Sequence, residues 1–210
     1  MTKAIRVHTP GGPEQMKLED VTLPAPGKGQ VHLRHRAIGV NFIDVYYRTG
    51  AYPAPAPFTP GCEGAGDVVA VGEGVTDFKP GDRVAYAGPI GGYAAERVID
   101  AHYLVHLPAS ISYETAAGMM LKGLTAQYLL RRTYRVQKGD TILVHAAAGG
   151  VGLILCQWGR ALGATVIGTV GTRDKAQLAK EAGADHVILY REEDFAARVK
   201  EITGGKLCHV

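Results

Sequence analysis

The sequence predicts an α/β protein in two parts, a small antiparallel β-barrel followed by a parallel sheet flanked by helices. Three observations carry this. Short strand-like runs punctuated by turn residues fill residues 1 to about 110, strand and helix patterns alternate after about residue 112, and glycine supplies 28 of the 210 residues. A globular protein usually holds about 7% glycine. The excess here, without a low-complexity tract or internal repeat, points to many tight turns and close backbone approaches.

In the first part, residues 3–8 read as a strand stopped by Pro10-Gly11-Gly12-Pro13. Residues 30–37 alternate Val31, Leu33 and His35 with His32, Arg34 and Arg36, the period of a half-buried strand. Residues 66–71 and 82–87 are further apolar strands, bounded by Gly72-Glu73-Gly74 and by Gly88-Pro89. Between residues 37 and 66, Tyr52-Pro53-Ala54-Pro55-Ala56-Pro57 excludes helix and favours an extended loop, because proline lacks the donor N–H and restricts the residue before it. In the second part, residues 113–132 carry a helical pattern through Leu121, Leu124, Tyr128 and Leu129. Short apolar runs at 141–145, 165–169 and 186–189 then alternate with helical segments at 151–162, 174–182 and 192–202, the order of βαβ units and a parallel sheet. The change of rhythm divides the chain into domains at 1–115 and 116–210.

Composition narrows the function classes. Hydrophobic residues are 46% of the chain and the mean hydropathy is near zero, as in an ordinary globular protein. The 23 basic and 20 acidic side chains leave a formal charge of +3 without long runs of one sign, so neither nucleic acid nor an anionic membrane is an expected partner. No apolar run reaches the roughly 18 residues of a membrane span, and residues 1–9 lack the apolar core of a signal peptide. Cys62, Cys156 and Cys208 are too few and too scattered for a disulfide framework, and a cytoplasmic location is expected.

The strongest local feature is Ile142-Leu143-Val144-His145-Ala146-Ala147-Ala148-Gly149-Gly150-Val151-Gly152, a buried strand running into a turn of small residues with a helix directly behind it. Gly149 and Gly150 let the backbone approach a pyrophosphate, Gly152 lets helix pack on strand, and the helix N-terminus presents free N–H groups and a positive dipole end. This predicts a dinucleotide site. Sites preferring NAD place Asp or Glu at the end of the next strand, about 20 residues on, to bind the ribose hydroxyls. Here that place reads Thr169-Val170-Gly171-Thr172-Arg173-Asp174-Lys175, so Asp174 comes late and Gly171 with Arg173 or Lys175 accommodates a 2′-phosphate. NADPH is the expected cofactor.

Residues 139–152, Gly-Asp-x-x-Leu-Val-His-Ala-Ala-Ala-Gly-Gly-Val-Gly, resemble the signature of the quinone oxidoreductase, or zeta-crystallin-like, branch of the medium-chain dehydrogenase/reductase superfamily. So do Gly39-Val40-Asn41-Phe42-Ile43-Asp44, Gly61-Cys62-Glu63-Gly64-Ala65-Gly66, Val71-Gly72-Glu73-Gly74-Val75 and Gly81-Asp82-Arg83-Val84. Leu121-Lys122-Gly123-Leu124-Thr125-Ala126 and Gly168-Thr169-Val170-Gly171-Thr172 follow in the family's order. The resemblance implies a GroES-like N-terminal barrel carrying the substrate pocket, then a Rossmann domain, with NADPH in the cleft between them. It implies that Asn41, Tyr46 and Tyr52 line the nicotinamide and substrate end as the catalytic set, and that Lys122 and Thr125 lie near the nicotinamide. Ala148, Gly149, Gly150, Val151 and Gly152 would hold the pyrophosphate, and Gly171, Lys175 and Tyr190 would surround the 2′-phosphate and its ribose.

Zinc members of the superfamily use a Cys early in the barrel and a His before the Glu of the glycine-rich turn. Asn41 and Cys62 stand in those regions here and the four-cysteine lobe has no counterpart, so no metal is expected. Cys62 reads as a packing residue, since nothing near it in sequence lowers its pKa, and Cys156 reads as core. Without a Lewis acid the chemistry rests on positioning a hydride close to an acceptor, which suits a small-molecule quinone or a related conjugated carbonyl. Tyr52 is open between proton donor and pocket wall, and an enone or enoyl reductase is an alternative activity.

In the family, a fourth Rossmann strand and a C-terminal segment follow Thr203-Gly204-Gly205. This sequence gives Lys206-Leu207-Cys208-His209-Val210, so only the first three strands are expected, with residues 141–145 as an unpaired sheet edge. The family is typically homo-oligomeric, and the edge used for dimer formation is expected to be missing. A frameshifted or interrupted gene, or an incomplete sequence, is the expected reason for that ending rather than a redesigned enzyme, and a fragment that at most binds nucleotide is the alternative to an active reductase.

Overall fold

The computed structural model describes residues 1–210 and divides into two compact units, Met1–Leu121 and Lys122–Val210. In the first unit, β1 (Thr2–Val7) pairs antiparallel with β2 (Met16–Val21). The strands β3 (Gln30–Ile38), β4 (Glu63–Val71), β5 (Arg83–Ala87), β6 (Glu96–Asp100) and β7 (Leu104–His106) form an antiparallel sheet in the order β6-β3-β4-β5-β7. The alternation seen in sequence has its physical cause here. Val31 and Leu33 are fully buried with Val68, Val84, Tyr86 and Ile99, while His32 and Arg34 point outward and bond Glu96 across the strand pair at 3.0 and 2.7 Å.

Four elements of this unit lie outside the sequence expectation. The helix α1 (Phe42–Thr49) interrupts a half read as strands only, because its single buried residue is Asp44 while Phe42 and Tyr46 are exposed, the reverse of a core-facing pattern. Its start is fixed by Asp44, which accepts the Asn41 N–H at 2.9 Å, and its end by Gly50 in the left-handed region. β2 is largely polar and exposed, and β6 and β7 are short edge strands with little periodicity to read.

A chain of hydrogen bonds crosses the sheet. Arg97 donates to the Tyr86 hydroxyl at 3.2 Å, Tyr86 donates to His35 Nε2 at 2.8 Å, and His35 Nδ1 donates to the Ala94 carbonyl at 2.7 Å. Burial, with Arg97 nearby, lowers the His35 pKa from 6.5 to about 4, so the ring is neutral near pH 7.

The helix α2 (Tyr113–Tyr128) runs from the first unit into the second and ends in a π-turn at Leu129–Thr133, short of the residue 132 expected for a continuous α-helix. In the second unit, β8 (Thr141–Val144), α3 (Gly150–Ala161), β9 (Thr165–Val170), α4 (Arg173–Glu181), β10 (His186–Leu189) and α5 (Phe195–Ile202) alternate as expected. The three strands are parallel in the order β10-β9-β8. Val166 and Ile167 of β9 are fully buried on its two faces, which is why a central parallel strand reads as a continuous apolar run. α5 begins later than residue 192 because Asp194 caps it, accepting from the N–H groups of Ala196 and Ala197.

One expectation is corrected. The outer edge of β8 is not bare. His209 N–H donates to the Thr141 carbonyl at 2.8 Å, Leu143 N–H donates to the Val210 carbonyl at 2.7 Å, and Thr141 N–H donates to His209 Nδ1 at 2.9 Å. After the turn at Gly204-Gly205 the chain returns alongside β8 in the same direction and satisfies these edge groups.

The His35 network sets a pH dependence. With the folded pKa near 4 and the unfolded value near 6.5, the unfolded chain binds the additional proton between these pH values. Stability therefore falls as pH drops from about 6.5 to about 4, by up to about 3 kcal/mol from this residue. Urea denaturation across that range measures the slope, and His35→Gln flattens it; an unchanged slope in the variant removes His35 as its source.

Candidate functional site

The second unit builds a pocket of about 140 Å³ at the C-terminal ends of β8 and β9, lined by Ala146, Ala148, Gly149, Val170, Gly171, Lys175 and Tyr190. Five of these are residues expected from the sequence, arriving from three separate segments of chain. The turn after β8 supplies Ala148 and Gly149, the end of β9 and the start of α4 supply Gly171 and Lys175, and the end of β10 supplies Tyr190.

The turn is held by local bonds. Gly149 N–H donates to the Ala146 carbonyl at 2.7 Å, Ala147 N–H donates to the Thr169 carbonyl at 3.1 Å, and Ala146 adopts φ +50°. Gly152 is required where it stands, because a Cβ there would lie 2.3 Å from the Ala146 carbonyl oxygen and 2.8 Å from the Ala147 backbone. Gly149 is the N-cap of α3 and no side chain caps that end, which leaves the first-turn N–H groups directed outward for a ligand. Gly150, Val151 and Gly152 form this first turn and stand outside the lining of the pocket.

Lys122 and Thr125 lie three apart on one face of α2. The Lys122 stem passes over the start of α3, since a Cβ on Gly150 would meet Lys122 Cδ at 2.8 Å. Of the two cations expected for a 2′-phosphate, Lys175 lines the pocket and forms no ion pair, whereas Arg173 is paired with Glu192 at 3.3 Å and borders a different depression with Gln177, Lys180 and Glu193. Tyr190 lies over Gly171, whose Cβ would fall 2.8 Å from the phenol oxygen. Val170 and Ala146 also line the pocket through positions that carry no chemical signal in sequence.

The remaining site residues belong to the first unit. Asn41 is buried and its Nδ2 donates to Glu63 Oε2 at 2.7 Å, while Glu63 Oε1 accepts the Leu121 N–H at 2.8 Å. Glu63 is fully buried, so these bonds hold a carboxylate that solvent does not reach. Asp44 accepts the Tyr93 hydroxyl at 2.8 Å. Burial and the neighbouring Asp44 push the Cys62 thiol up to about 12, which keeps it protonated near pH 7. Tyr46 and Tyr52 are partly exposed with ring centroids 5.2 Å apart, and Phe42 meets Tyr46 edge-on at 5.3 Å. Tyr52 also borders a groove with Tyr47, Pro53 and Pro55, residues of the proline loop read from the sequence.

Two family models match the chain, the first running past the boundary of the first unit at Leu121. A family model for the alcohol dehydrogenase GroES-like domain matches residues 27–138, and one for zinc-binding dehydrogenase matches residues 150–210. A quinone oxidoreductase of Pseudomonas aeruginosa is 55% identical over 212 residues, covering all of this chain and 65% of that protein. A 2-haloacrylate reductase of a Burkholderia species is 49% identical, covering 98% of this chain and 64% of that protein. The crystal structure of Escherichia coli quinone oxidoreductase complexed with NADPH superimposes with a TM-score of 0.95 at 52% identity, over 97% of this chain and 63% of that one. The chain thus spans just under two thirds of the length of these relatives.

The close approach at Gly152 is testable through stability. Gly152→Ala forces the α3 start away from the turn and costs roughly 1–3 kcal/mol. Gly118→Ala, with open space at the Cβ position in α2, is neutral or stabilising by up to about 1 kcal/mol. Thermal melts of the two variants check the contrast, and equal melting temperatures contradict it.

Proposed function

The chain belongs to the quinone oxidoreductase branch of the medium-chain dehydrogenase/reductase superfamily, and from that premise we propose that it acts in an NADPH-dependent, metal-free reduction of a quinone or related conjugated carbonyl. The observation that carries the reading is the pocket at the ends of β8 and β9, where Lys175 and Tyr190 meet the glycine turn and the end of β9 offers Gly171 and Thr172 in place of a carboxylate. A carboxylate there repels a 2′-phosphate, and a lysine attracts one.

The residues present fit the cofactor. The turn from Ala148 to Gly152 has no bulky side chain to obstruct a pyrophosphate, and the uncapped start of α3 supplies N–H donors and a positive dipole end. In the proposed division of labour, Lys175 and Tyr190 bind the 2′-phosphate and its ribose, and Lys122 and Thr125 orient the nicotinamide end. Asn41, Tyr46 and Tyr52 line the acceptor, with the Asn41 position set by its bond to Glu63. When bound, NADPH supplies the hydride. Tyr52 donates a proton or hydrogen bond to the reduced carbonyl oxygen, and its partly exposed ring supports that role. Asn41 brings an amide in place of an anionic donor and is engaged with Glu63, which supports the metal-free reading.

A second reading, reduction of a conjugated carbon–carbon double bond, is favoured by the 49% identity to the 2-haloacrylate reductase. Fluorescence titration with NADPH and NADH, followed by turnover with a panel of quinones, enones and 2-haloacrylates, tests both. Saturable binding that prefers NADPH supports the reading, and equal affinity for the two cofactors overturns it. Turnover confined to the 2-haloacrylates favours the second reading.

Lys175→Ala weakens NADPH roughly tenfold or more and leaves NADH within about twofold, the loss expected for one charge-assisted phosphate contact. Parallel weakening of both cofactors contradicts the assignment. Tyr52→Phe lowers kcat by roughly a hundredfold with little change in KM if the phenol acts in the proton step. An unchanged kcat makes Tyr52 a wall of the pocket.

A further inference from the structure

The turn after β10 brings a second cation to the pocket rim. Tyr190 N–H continues the ladder to the Val170 carbonyl at 3.2 Å, and the N–H groups of Glu192 and Glu193 both close on the Leu189 carbonyl, at 2.8 and 2.9 Å. Glu193 also accepts the Leu189 N–H at 3.0 Å. This tight turn sets Tyr190 and Arg191 side by side against Gly171. A Cβ on Gly171 would lie 2.8 Å from the Tyr190 hydroxyl and 3.3 Å from Arg191 Nε.

The local acidic residues do not neutralise this arginine. Glu192 pairs with Arg173, and Glu193 pairs with Arg198 at 2.8 Å, with Arg198 also bonded to Glu201. Arg191 and Lys175 are exposed and form no ion pair. Two uncompensated cations therefore flank Gly171, one at the start of α4 and one after β10.

We propose that Arg191 is a specificity-determining residue of the nucleotide site, its guanidinium binding the cofactor 2′-phosphate beside Tyr190 and jointly with Lys175. The inference rests on the NADPH reading above and deepens it. A guanidinium presents a planar fork of donors that matches phosphate oxygens in pairs, whereas Lys175 brings a point charge. Gly171 leaves room for both groups at this point: a Cβ there would lie 2.8 Å from the Tyr190 hydroxyl and 3.3 Å from Arg191 Nε, so either side chain would have to shift.

The test is titration of the purified protein and its Arg191→Gln, Arg191→Lys, Lys175→Ala and Arg173→Gln variants with NADPH and with NADH, followed by fluorescence. Arg191→Gln is expected to weaken NADPH roughly tenfold and leave NADH within about twofold, with Arg191→Lys recovering part of the loss. Arg173→Gln is expected to change neither cofactor. If Lys175→Ala abolishes the NADPH preference while Arg191→Gln leaves it intact, the Arg191 assignment is overturned and the NADPH reading stands. Equal weakening of both cofactors in Arg191→Gln also overturns it, because a structural role of the turn has no reason to discriminate the 2′-phosphate. Equal affinity of the unsubstituted protein for both cofactors overturns the NADPH reading and the assignment together.

Discussion

At the junction of β8 and α3 the helix starts against the backbone of its own turn, with no room for a side chain between Gly152 and the Ala146 carbonyl. Much of the second unit follows from that contact. The turn must be made of small residues, so backbone rather than side chains forms one wall of the pocket. Ala147 is buried and its N–H is tied to Thr169, which couples the turn to the end of β9. That coupling determines where Gly171 stands and, through the strand ladder, where Tyr190 and Arg191 stand. A pocket assembled from three chain segments thus depends on one close backbone approach.

Around this pocket the charges are distributed by pairing. Arg173 and Arg198 are matched by Glu192, Glu193 and Glu201, while Lys175 is left without a carboxylate partner. Exposed pairs of this kind contribute little to stability. Their effect is on the local potential: they cancel charge away from the pocket and leave positive potential beside Gly171, where an anionic group is favoured.

The first unit solves a different problem, the burial of carboxylates. Glu63 and Asp44 are both buried and held by donors: Asn41 and Leu121, both distant in sequence, for Glu63, and the local Asn41 N–H with the distant Tyr93 hydroxyl for Asp44. Burying such groups without donors costs several kcal/mol, so the bonds constrain the start of α1 against the start of β4. The helix consequently buries Asp44 and leaves Phe42 and Tyr46 exposed, with Tyr52 of the following loop packed beside Tyr46.

The parallel half of the chain was legible in the sequence because its strands are buried on both faces and its helices are amphipathic, so period and position agree. The antiparallel strand β3 was legible through the opposite pattern, one buried and one outward face, and β4 and β5 through apolar runs bounded by turns. The helix α1 was not, since its pattern is inverted by the buried Asp44, and neither were the short edge strands, whose pairing is non-local. The glycine turn, Lys175 and Tyr190 could be singled out from residue type and spacing. Arg191 carried no signal, because a lone arginine after a strand is ordinarily a solvated residue.

By itself the sequence determined the two rhythms, the small-residue turn and the absence of a carboxylate at the end of β9, all of them local properties of spacing and residue type. Only the tertiary structure decided which cations face the pocket, that His209 and Val210 cover the edge of β8, and that Asn41 is committed to Glu63. Those outcomes depend on which groups far apart in the chain come within hydrogen-bonding or ion-pair distance, and packing, not spacing, sets that distance.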